Sequence, residues 1–113
     1  MDLTQKLKNK LSEYDTSEFH IDEHALKRCR DYHNLDLDEV IQRIKKRKFE
    51  KVVKNDSKKA ELEHYESYKA RIPKSNQYQY EVVLYLTEDK PLIKTVSKLD
   101  KRKQEMIDNA RGI

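Results

Sequence analysis

His24 and Arg28 stand one helical turn apart in the run Phe19-His20-Ile21-Asp22-Glu23-His24-Ala25-Leu26-Lys27-Arg28-Cys29-Arg30. On a helix that spacing puts both side chains on one face. An imidazole titrates near neutrality and suits proton transfer. A guanidinium offers a fixed cationic fork to phosphate oxygens. Such a pair fits metal-independent RNA cleavage, which needs an acid–base group at the reacting oxygens and cations around the phosphorus. Lys69 and Arg71 share one face if their segment is a strand, and they are the candidates to complete the cationic pocket. Thr95 is a candidate polar contact. A blander reading stands beside this one. A histidine at a helix rim is ordinarily a satisfied surface side chain, and Arg28 can bridge Glu23 or Asp31 at little gain in stability.

The second feature is the cluster Lys45-Lys46-Arg47-Lys48, which lies in a lysine-rich run opposed only by Glu50 and Asp56. Arg43, Lys45, Lys46, Arg47, Lys48 and Lys51 are therefore the candidate nucleic-acid-binding residues, holding phosphates with salt-dependent affinity. The competing account is a solvated helix end, where cations also suit the carboxyl-terminal dipole. Tyr65, Tyr68, Tyr78 and Tyr80 would stack on bases if exposed, but strand alternation sends about half of them into a core. No metal or cofactor is expected. His20 and His24 have ligand-like spacing, but the helix begins between them. The one glycine, Gly112, forms no phosphate-cradling loop.

These residues sit in a chain of 113 residues, 35% hydrophobic and 41% charged, with a formal net charge of +4. The length supports one core. Opposite charges nearly cancel and apolar residues recur periodically, so a folded domain with a lean core is expected rather than disorder. A single cysteine excludes a disulfide framework, and Cys29 reads as a buried, inert thiol. No segment has the composition of a signal peptide or the about 20 apolar residues of a membrane span. A cytoplasmic protein is the expectation.

The elements that position these groups can be read from periodicity. Leu3, Leu7, Leu11 and Tyr14 mark a narrow amphipathic helix over residues 1–17, expected to dock loosely. Phe19 to Ile21 reads as a brief strand or extended lead-in. A helix then starts at Asp22, with Ile21, Ala25, Cys29 and Tyr32 as its buried stripe and Leu26 at the margin. His33 falls in the apolar arc and reads as structural. After a short connection at Asn34-Leu35, Asp36 and Glu39 have capping-box spacing and open another helix. Strands are expected around Phe49 to Val53, in Glu61 to Ile72, in Tyr78 to Leu86 and in Leu92 to Val96, with a turn at Asn55-Asp56-Ser57. Ala60-Glu61-Leu62-Glu63 reads equally well as helix. Leu99, Met106, Ile107 and Ala110 mark a terminal helix within residues 100–113 that Gly112 ends. The sum is an α+β domain, two helices packed on an antiparallel β-meander sheet with a C-terminal helix, all covering one sheet face.

The HAxxR core at His24, Ala25 and Arg28, followed by Asp38-Glu39-Val40 on the next helix and then a meander, resembles a family of small HAxxR domains. That family is similar to the RelE/ParE-like toxins of the barnase–colicin–RelE-like ribonuclease superfamily. The resemblance covers residues 18–99 and implies a RelE-like fold, RNA as ligand with DNA as the alternative, and toxin-type endoribonuclease activity. It implies His24 as acid–base residue, Arg28 with Lys69 or Arg71 as phosphate clamps, and an antitoxin-like partner. Two readings remain open beside it. One is a non-catalytic nucleic-acid-binding module. The other is a protein-interaction domain whose docking surface is the Leu3/Leu7/Leu11 stripe.

Overall fold

All four helices described below begin on an aspartate whose side chain takes up an otherwise orphaned backbone N–H. The computed structural model describes residues 2–15, 18–32, 35–56, 58, 62 and 65–112. Asp2 opens α1 (Leu3–Ser12), Asp22 opens α2 (Glu23–Asp31), Asp36 opens α3 (Leu37–Lys45) and Asp100 opens α4 (Lys101–Arg111). Each cap satisfies donors that the first helical turn leaves free. At the far end of α4, Gly112 adopts φ 72°, the left-handed conformation that a glycine takes without a Cβ clash.

The strands are β1 (His20–Ile21), β2 (Lys51–Lys54), β3 (Glu66–Pro73), β4 (Tyr78–Leu86) and β5 (Pro91–Asp100). They form one sheet in the order β1-β5-β4-β3-β2. The run from β2 to β5 is the expected antiparallel meander, but β1 lies parallel to β5, pairing His20 with Leu92 and Ile21 with Ile93. The sheet is therefore mixed. A register shift at Val83/Leu84 makes Lys94 the extra residue of a bulge in β5.

Alternation divides the sheet into two faces. Tyr68, Ala70 and Ile72 of β3, Tyr80, Val82 and Leu84 of β4, and Ile93 and Val96 of β5 point into the core. Leu7 and Leu11 of α1, Ala25 of α2, and Val40 and Ile44 of α3 meet them there. The opposite face carries Lys51, Lys69, Arg71, Glu81, Val83 and Thr95, by register with those strands. On that face α4 is anchored, through Asp108 on Arg71.

Several expectations change. The helices cover both faces, because the chain leaves β5 at its end and α4 crosses back over the non-core side. Leu7 is fully buried and Leu11 nearly so, so α1 is part of the core rather than loosely docked, and its stripe is not a free docking surface. Tyr32 is 55% exposed instead of buried, since α2 ends at Asp31 and Tyr32 turns extended, out of helical phase. Leu26 is also exposed. Leu99 belongs to β5, paired with Gln79, and not to the terminal helix. Pro73, expected to open a turn, still pairs with Gln79 in β3. Among the described residues β3 starts at Glu66, and Leu62 is helical, in line with the helix alternative for Ala60-Glu61-Leu62-Glu63. The readings placed on His33, Asn34, Ser57, Ala60, Glu61 and Glu63 lie outside the described residues.

Candidate nucleic-acid interface

His24 occupies the first turn of α2 and is exposed. Its backbone N–H donates to Asp22 Oδ2 at 3.0 Å, and Lys94 Nζ donates to Asp22 Oδ1 at 3.1 Å. Burial works against the Asp22 carboxylate, yet the bonds from Lys94 and the His24 N–H prevail and lower its pKa. The imidazole of His24 has no hydrogen bond to Lys69, Arg71 or Thr95. Those three stand on the face opposite the core that Ala25 of the same helix enters. The expected pocket of His24, Arg28, Lys69, Arg71 and Thr95 is thus not brought together.

Arg28 has a different task. β1 is two residues long, and its escort of β5 ends where the Asp22 N–H donates to Ile93 O at 2.9 Å. Further along, the outer edge of β5 has no neighbouring strand among the described residues. Arg28 Nε donates to Val96 O at 2.9 Å there, satisfying a backbone acceptor that a strand would otherwise take. Its guanidinium carbon lies 5.2 Å from the centroid of the Tyr32 ring. Neither Glu23 nor Asp31 is its partner.

Arg71 is 4% exposed and committed to two carboxylates. Its Nε donates to Glu81 Oε2 at 3.2 Å, and its two terminal nitrogens grip Asp108 of α4. Lys51 Nζ joins at 3.1 Å from Asp108 Oδ2. The hydrogen bond from Arg71 is the main reason that the Asp108 pKa lies well below the usual carboxylate range, against the opposing effect of burial. Lys51, Arg71 and Glu81 form one cross-strand row, and Lys69, Val83 and Thr95 form the next. Sequence reasoning missed Asp108 and Glu81. The signal was present in α4, where Lys101, Gln104 and Asp108 recur at helical spacing and make a polar stripe.

No family model, curated protein or solved structure matches this chain.

The basic cluster separates into two groups. Arg47 sits at φ 57° and turns its guanidinium back on α3, donating to Ile44 O at 3.1 Å and to Lys45 O at 3.4 Å. It caps the helix, and Lys51 is held by Asp108, so neither presents its charge as expected. Lys45, Lys46 and Lys48 are exposed at the end of α3 and in the turn that follows, with Arg43 half-buried beside them. None of these four joins an ion pair among the described residues. Lys45 contributes, after Lys90, to lowering the Glu18 pKa.

The tyrosines offer no stacking row. Tyr68 and Tyr80 are in the core, and burial, helped by Glu66, pushes the Tyr68 hydroxyl up to about 12. Tyr65 lies 6.3 Å from the Tyr85 ring, and Tyr78 lies under Lys98. Cys29 is half-buried, and burial raises its pKa, which suits an inert thiol better than a nucleophile. His20, considered as a metal ligand, has Nε2 3.0 Å from Asp89 Oδ2. Among the described residues, no helix is long and apolar enough to cross a membrane.

Proposed function

We infer that this chain is a RelE-like α+β domain that binds RNA through the phosphate backbone, acting as a binding module. The observation that carries this reading is the exposed group Lys45, Lys46 and Lys48 at the carboxyl-terminal end of α3, none of which forms an ion pair among the described residues, with Glu18 within electrostatic reach of Lys45. Cations left in water and clustered on one turn release counterions when they meet phosphates. The order of helix pair, meander and terminal helix supports the RelE-like part of the reading. The cleaving version asks for cations converging on His24, and in this arrangement Arg28 serves a backbone carbonyl while Arg71 serves two carboxylates.

The test is fluorescence anisotropy with a labelled single-stranded RNA over a salt series. Wild type should bind with an affinity that falls steeply with salt. The triple variant Lys45→Glu/Lys46→Glu/Lys48→Glu should bind more weakly. Its log–log salt slope should be shallower by about 2, because each phosphate neutralised on a single strand adds roughly 0.7 to the slope. His24→Ala should leave both quantities unchanged. An unaltered slope in the triple variant removes the α3 interface.

A further inference from the structure

A helix on a protein surface ordinarily turns an apolar stripe inward. α4 turns in Lys101, Gln104 and Asp108, while Met106 is 68% and Ile107 44% exposed. Asp108 is its only buried residue. The helix is thus held to the sheet by charge. Asp108 Oδ1 accepts from Arg71 Nη2 at 3.1 Å and from Gln104 Nε2 at 3.0 Å, and Oδ2 accepts from Arg71 Nη1 and Lys51 Nζ. At the start of α4, Lys101 Nζ meets Glu50 Oε1 at 2.9 Å. A buried ion pair of this kind returns little net stability once desolvation is counted, and α4 has no buried apolar side chain beside it.

The same geometry has a recognisable shape. Glu81 occupies Arg71 Nε, which leaves Nη1 and Nη2 as a two-pronged fork facing away from the strand, with the Lys51 ammonium converging on the same anion. A guanidinium fork plus an ammonium is the donor set that binds a phosphate group, and the Asp108 carboxylate fills it. Lys69 and Thr95 occupy the adjoining row of the same face. We propose that Arg71 and Lys51 form a phosphate seat on this face, and that Asp108 of α4 is its built-in competitor, displaced when an RNA phosphate takes its place. The ligand class rests on the RNA reading above, but the seat lies on a different face from the α3 lysines.

The test is made in the full-length triple variant of Lys45, Lys46 and Lys48, which silences the α3 interface. Adding Asp108→Asn keeps the side-chain shape and removes the competing charge. Affinity for single-stranded RNA should rise at least tenfold, and a further Lys51→Gln should cancel most of that gain. Amide exchange on the same samples should show the strands still protected and residues 104–111 deprotected. A protected sheet without a gain in affinity overturns the proposal. In wild type saturated with RNA, deprotection of the α4 amides supports it, and unchanged α4 protection counts against it. If the triple variant binds RNA as wild type does while Asp108→Asn still strengthens binding, the α3 reading falls and the seat stands.

Discussion

At Arg28 the atom that matters is Nε, which serves the β5 edge and leaves the guanidinium lying against Tyr32. A lysine at this position keeps the charge but loses the planar donor that reaches Val96 O while stacking on an aromatic ring. Arg28→Lys is accordingly expected to lower stability by about 1 kcal/mol, the usual net value of such a bond. His24→Ala should change it by less than about 0.5 kcal/mol, as for an exposed side chain that forms no ion pair among the described residues. Urea unfolding of both variants checks the pair, and an Arg28→Lys as stable as wild type removes the edge role. The helix that bears both residues was legible, because Asp22 and the Ala25 position announce it. Their partners were not. Val96 lies 68 positions away in sequence from Arg28, and only the shortness of β1 leaves its carbonyl open.

Helices were easier to locate than to orient. Leu7 and Leu11 announced α1, yet a narrow stripe looks the same whether it is loosely docked or sealed in a core. Only the packing against strand residues such as Val52 decides it. In α4 the apolar residues Met106 and Ile107 announced a helix and then turned out to face solvent, because Arg71 draws the opposite side inward. This attachment has a pH dependence. When α4 is docked, Asp108 titrates well below its ordinary range, whereas in a released α4 it takes a normal value of about 3.9. Above about pH 5 the carboxylate is charged in both states and docking is fully supported. Below about pH 4 the released form gains a proton first, so docking weakens progressively as pH falls toward the depressed value. Amide exchange or methyl NMR of Met106 across that range should show α4 loosening on acidification, ahead of the strands. In Asp108→Asn the part due to docking should vanish, leaving the contribution of the Asp100 cap, whose pKa is lowered by its bonds from the Lys103 N–H and Gln77. Equal acid sensitivity of variant and wild type would break the link.

Across the whole molecule, alternation correctly put Lys69 and Arg71 together and opposite Tyr68, Ala70 and Ile72. It could not say which helices cover which face. That depends on β1 joining β5 in parallel, which keeps α2 and α3 on the core side, and on α4 folding back across the other. The charge map follows from the same arrangement. With 25 basic and 21 acidic side chains, the net charge of +4 is small, and RNA affinity could arise from it diffusely or from one patch. The two origins can be separated by holding net charge constant. Lys6, Lys27 and Lys103 are exposed on three different helices and join no ion pair among the described residues. Reversing all three to glutamate changes the total charge as much as reversing Lys45, Lys46 and Lys48. A field set by net charge would weaken RNA binding equally in both variants, since distant charges differ only through screening over about 8–10 Å. A patch at the end of α3 predicts that the dispersed variant keeps most of its affinity and its salt slope, while the clustered one loses both. Anisotropy at two salt concentrations distinguishes them, and equal losses would assign the binding to the molecule's overall charge instead of to α3.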